Sequence, residues 1–142
     1  MINNTLDFLF CGDFAPCHRF ENIVIEHNEN VFGDALTLIK NSHASFANLE
    51  CPLTTSNCPI AKSGPNLRAH PDCIHALKPF SLIGLANNHI MDFGNTGLKS
   101  TIDTCNSINL PTTGIGSNLF EARRFHVITV EELSVAIIAI AE

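Results

Sequence analysis

The chain has 142 residues, 45% of them hydrophobic and 15% charged, which suits one globular domain, or part of one, over residues 1–142 and is too short for two ordinary domains. Eight Lys and Arg against 14 Asp and Glu give a net charge of −6, which repels a phosphate backbone at long range and argues against nucleic acid as a partner. Met1–Asp7 lacks the basic start and long apolar stretch of a secretory signal, and the longest apolar run, Val135–Ala141, is far short of the about 20 residues of a membrane span. The sequence therefore predicts a soluble, cytoplasmic chain with no membrane span.

Leu6–Cys11 is a short apolar run ending in Gly12-Asp13, the pattern of a buried strand that delivers a carboxylate at its carboxyl end. Phe32, Ala35, Leu36 and Ile39 recur at helical spacing and predict a helix from about Asn30 to about Asn41. Ser45–Leu49 reads as a second strand, closed by the polar residues Asn48 and Glu50. The segment between Cys51 and Pro71, rich in Pro, Ser, Thr and Asn, reads as a long loop.

Pro71 suits the first turn of a helix carrying Ile74 and Leu77, which Pro79 ends. Leu82–Ala86 is a third short apolar strand, running into Asn87-Asn88-His89. Beyond Gly94, the spacing of Leu98, Thr101, Ile102 and Cys105 predicts a helix that stops before Pro111. Phe125–Val130 and Leu133–Ala141, rich in Val and Ile and separated by Glu131-Glu132, predict a hairpin. The order predicts an α/β fold with a largely parallel sheet. The six cysteines show no CxxC pair, so reduced and mostly buried thiols are expected, the alternative being a Cys51–Cys58 disulfide.

In such sheets ligands collect beyond the carboxyl ends of the strands, where Asp13, Glu50 and His89 would converge. Asp, Glu, Asn and His together make a mixed donor set suited to Mn, Fe, Zn or Mg. Two such ions a few Å apart can clamp a phosphoryl group and activate water. Each residue also has an ordinary reading: His89 as a capping or core histidine, Asp13 as a turn cap, Glu50 as a solvated carboxylate, Asn87 and Asn88 as turn residues.

The segment Leu85–Gly94, with its Asn-Asn-His turn and Asp92-Phe93-Gly94 step, followed by Thr96-Gly97-Leu98 and Thr101, resembles a block of the CapA family of capsule and poly-γ-glutamate biosynthesis proteins. It is also similar to the Asn-His block of calcineurin-like phosphoesterases. Cys11-Gly12-Asp13, Ala47–Leu53, and Gly114–Asn118 with Glu121-Ala122 agree with that family in type and order.

The resemblance implies a metallophosphatase-like α/β sandwich. It makes Asp13, Glu50 and Asn88 metal-binding residues for one or two ions in the complete domain, and gives His89 the role of stabilising or protonating a leaving oxygen. Asp92 would orient His89. Lys62 and Arg68 would meet an anionic small molecule or polymer, although solvated loop side chains are their ordinary reading.

Two departures from calcineurin-like enzymes, Ala15 two positions after Asp13 and Asn48-Leu49-Glu50 in the second block, are of the CapA kind, and both remove ligands. The remaining metal-binding histidines of that architecture belong to a carboxyl-terminal half, so the sequence is read as half a domain, a poor catalyst alone and prone to associate. A metal-dependent phosphomonoesterase or nucleotidase is one alternative. A noncatalytic domain that needs a partner half is another.

Overall fold

The computed structural model describes residues 5–141. The reading of the first residues as free of a secretory signal falls mostly on residues 1–4, outside the described residues. Strands β1 (Phe8–Phe14), β2 (Ala44–Leu49), β3 (Leu82–Gly84) and β4 (Thr112–Thr113) form one sheet in the order β1-β2-β3-β4, and every neighbouring pair is parallel. The α/β class with a parallel sheet is thus observed. β5 (His126–Val130) and β6 (Leu133–Ile137) pair antiparallel as the expected hairpin. Glu131 turns it in the left-handed region at φ 53°.

Side chains alternate across a sheet, and the two faces of this one differ. Ala47, Leu49, Ile83 and Leu85 enter the core with Val24 of α1 (Glu21–His27), Ile39 of α2 (Ala35–Asn41) and Cys105 of α3 (Gly94–Ser107). On the other face Phe10 and Phe46 pair with ring centroids 5.9 Å apart, and Phe10 is 59% exposed. Gly84 lies beneath them, where a Cβ would stand 2.6 Å from Phe46 Cζ and would force that ring to shift.

Several expected elements are altered. The single helix expected from Asn30 to Asn41 is interrupted: a 3₁₀ segment (Asn28–Phe32) ends at Gly33, whose φ of 53° breaks the run before α2 starts. Helix α1 was not legible from spacing. The 71–77 segment is a 3₁₀ helix rather than an α-helix, opened by Pro71 and by the His70 ring, which accepts from the Asp72 amide at 3.2 Å. β4 is two residues long and gave no sequence signal. All six cysteines are free, with Cys51 buried and Cys58 exposed, so the Cys51–Cys58 disulfide is absent.

In α3 the buried positions Gly97, Thr101 and Cys105 lie one turn apart. Thr101 Oγ1 accepts from the Leu53 amide at 2.9 Å, and the Ser100 hydroxyl donates to the Leu53 carbonyl at 2.7 Å. Helix α3 thereby clamps the start of the long loop, whose limbs meet again where the Thr54 amide donates to the Ala69 carbonyl at 2.9 Å. The loop between those points is free to reach the polar strand ends.

Candidate functional site

β1 carries Asp13 near its carboxyl end and runs one residue further, to Phe14. Phe10 lies opposite Phe46 and Asp13 opposite Asn48, so β1 spends one more residue than β2 between these pairs. Strict alternation would send residues 10 and 13 to opposite faces. The extra residue is a bulge that brings Asp13 to the face of Asn48. The Asn48 Nδ2 donates to Asp13 Oδ1 at 2.8 Å and to Glu50 Oε2 at 2.6 Å, so two carboxylates converge on one amide nitrogen. Since both neighbours accept only, the nitrogen of Asn48 faces them and its oxygen faces away.

Asn87, just past β3, receives that oxygen. Its Nδ2 donates to Asn48 Oδ1 at 3.2 Å and to the Leu49 carbonyl at 2.8 Å. Its Oδ1 accepts from the amides of His89 at 3.1 Å and Ile90 at 2.8 Å. A continuous hydrogen-bonded chain, Asp13–Asn48–Asn87–His89, therefore joins the carboxyl ends of β1, β2 and β3. The sequence alone assigns no role to Asn48 or Asn87. Their position at strand ends beside Glu50 and His89 was the available signal.

His89 Nδ1 lies 2.7 Å from Asp92 Oδ2. A carboxylate there accepts, so Nδ1 carries the proton and Nε2 is the free ring nitrogen. The Asp92 side chain has no exposed surface, while that of His89 is 14% exposed. Burial pushes the Asp92 carboxyl up, but hydrogen bonds from Lys62, His89 and the Leu67 amide outweigh it and hold the group below its ordinary value.

Lys62 reaches across from the loop. Its ammonium pairs with Asp92 Oδ1 and lies 3.2 Å from His89 Nδ1 and 3.5 Å from the Asn88 carbonyl oxygen. Asn88 itself is exposed, and its side chain stands outside the hydrogen-bonded chain. Arg68 is held elsewhere: its guanidinium donates to the Thr54 carbonyl and to Asn57 Oδ1, each at 3.1 Å, and lies 5.7 Å from the centre of the Phe93 ring. A cavity of about 350 Å³ opens beside Asn87, walled by Ala86, Ile90, Leu119, Arg123 and Ile138. A groove of about 760 Å³ between the 71–77 segment and α3 does not touch these residues.

Asp13 and Glu50 offer hard oxygen donors close together, which suits a divalent cation in kind. Among the described residues no third His, Cys, Asp or Glu joins them in a metal-holding group, so they fit as part of a donor set rather than a whole one. No helix among the described residues is long and apolar enough to cross a membrane.

The chain is similar to several known proteins. A probable polyglutamine synthesis accessory protein of Mycobacterium tuberculosis is 34% identical over 104 residues, 70% of this chain and 27% of that protein. The capsule biosynthesis protein CapA of Bacillus anthracis is 28% identical over 127 residues, 85% of this chain and 31% of that protein. The PGA biosynthesis protein CapA of Bacillus subtilis is 26% identical over 126 residues, 86% and 33% respectively. The chain thus spans about a third or less of the length of these relatives. Residues 7–142 match the family described as bacterial capsule synthesis protein PGA_cap, and the chain belongs to that family.

Proposed function

We propose that this chain serves the production of a poly-γ-glutamate or capsule-type polymer through a phosphoesterase-type site at the carboxyl ends of β1, β2 and β3, in a fold of the metallophosphatase kind. The observation that carries this reading is the Asp13–Asn48–Asn87–His89 chain, because it ties the converging carboxylates of Asp13 and Glu50 to the backbone of His89, whose imidazole Asp92 orients. The family and the names of the relatives supply the polymer.

Each residue then has a part. Asp92 holds the proton on His89 Nδ1 and stabilises the imidazolium that forms when Nε2 takes up a second proton. His89 can donate that proton to a leaving oxygen. Asp13 and Glu50, joined by Asn88 if the family resemblance holds at that position, would hold a divalent ion, Mn, Fe, Zn or Mg, together with further ligands from the longer protein. Such an ion, or a pair, would supply Lewis-acid polarisation of a phosphoryl oxygen and a water acidic enough to attack near neutral pH. The substrate is an anion, a small molecule or a polymer, and for Lys62 or Arg68 to receive it each would have to leave the partners described above.

Hydrolysis of a chromogenic phosphate ester in the presence of Mn tests the reading. Turnover that His89→Ala lowers by about 10²-fold or more supports the acid role. Turnover indifferent to His89→Ala removes it. Folded protein that binds Mn through Asp13 and Glu50 but turns over no ester favours the noncatalytic alternative.

A further inference from the structure

Three contacts from one loop end on one residue. The Ile60 amide donates to the Asp92 carbonyl at 2.9 Å, the Leu67 amide donates to Asp92 Oδ2 at 2.7 Å, and the Lys62 ammonium pairs with Oδ1. The same Oδ2 takes the His89 ring. We propose that Lys62 is a positioning residue: by pinning the buried Asp92 carboxylate it holds the 60–67 loop and the His89 ring in one register, and it is not the cation that receives substrate.

The argument rests on burial and geometry. A carboxylate with no exposed surface needs its charge compensated where it stands, and removing the partner of a buried pair is strongly destabilising. Lys62 supplies that compensation with its side chain 19% exposed. If it swung away to an incoming anion, Asp92 would keep only the His89 ring and one amide. The loop would then lose the contact nearest the centre of its span, since Ile60 and Leu67 tie only its two ends. Loop and imidazole share the carboxylate, so a loosened loop also loosens the group that turns His89 toward its work.

The kinetic consequence rests on the proposed phosphoesterase reading, whereas the structural claim does not, and the two are tested separately. Hydrogen exchange with mass spectrometry is run on the 142-residue chain as wild type, Lys62→Met, Lys62→Arg and the double variant Lys62→Met with Asp92→Asn. Lys62→Met is expected to speed exchange of the 60–67 segment about tenfold or more while β2 stays protected, and Lys62→Arg to restore part of the protection. If Lys62→Met unfolds globally, the double variant, which has neither charge, is the one to read. It should keep β2 protected and still exchange fast over 60–67.

Wild-type exchange of 60–67 in both Met variants would overturn the proposal whatever the catalytic result. Where ester turnover is measurable, Lys62→Met should lower kcat and move KM by less than about threefold. A rise in KM with kcat kept would give the substrate role back to Lys62.

Discussion

Replacing Asn87 by Ala should cost far more stability than the same change at its neighbour Asn88. Asn87 fills all four of its hydrogen-bonding positions: two donors to Asn48 Oδ1 and the Leu49 carbonyl, two acceptor positions from the His89 and Ile90 amides. A hydrogen bond contributes about 0.5–1.5 kcal/mol net, and a buried group left without a partner costs about 1–3 kcal/mol. Asn87 is only half-buried, so water can replace some of these bonds, and a loss of about 2–4 kcal/mol is expected for Asn87→Ala. The exposed Asn88 side chain belongs to none of these bonds, so Asn88→Ala should stay within about 0.5 kcal/mol. Urea denaturation followed by circular dichroism measures both, with the slope checked for constancy. An Asn87→Ala midpoint within error of wild type, or a larger loss at Asn88, would refute the assignment of Asn87 as the residue that joins the strand ends.

Two further outcomes follow from the charged and thiol groups. Asp92 sits below its ordinary carboxyl value of 3.8, so its contribution to stability is present above that value and is lost as pH falls through the lower folded value. Urea midpoints between about pH 5 and 2 should therefore fall more steeply for wild type than for Asp92→Asn; parallel curves would show that Asp92 is not held low. Cys58 is exposed, whereas burial raises the thiols of Cys11, Cys17 and Cys51 and pushes Cys73 and Cys105 up to about 12. A disulfide reagent at neutral pH should label Cys58 quickly, half-buried Cys11 slowly and the remaining cysteines only in denaturant, and fast labelling of Cys73 or Cys105 would contradict their burial.

The elements read correctly from sequence were those whose signal is local and repeated. Helix α3 was visible because Leu98, Thr101, Ile102 and Cys105 keep a helical period over several turns, and the hairpin because two Val- and Ile-rich runs flank a short polar turn. The failures have local causes too. Phe32 and Ile39 keep helical spacing across Gly33, but the left-handed backbone at Gly33 divides the run. A two-residue strand such as β4 has no period at all; it exists because its neighbours in the sheet fix it.

The site was legible as a set of residue types and illegible as a set of connections. Strand-end position pointed to Asp13, Glu50 and His89, but the bulge that turns Asp13 toward Asn48 is a single inserted residue, which leaves no pattern beyond an unremarkable Gly12. Asn87 and Asn88 are chemically identical, and only the direction in which the chain leaves β3 makes one the link between strands and leaves the other exposed. Lys62 shows the limit most clearly. Its partner lies 30 positions away, and nothing around Lys62 in the chain distinguishes a lysine that pairs with a buried carboxylate from one that waits in solvent. What separates them is the closure of the loop, whose limbs meet at Thr54 and Ala69 and whose Ile60, Lys62 and Leu67 all bond Asp92. Those contacts join positions about 25 to 32 apart, a separation at which no periodicity of the chain carries a signal.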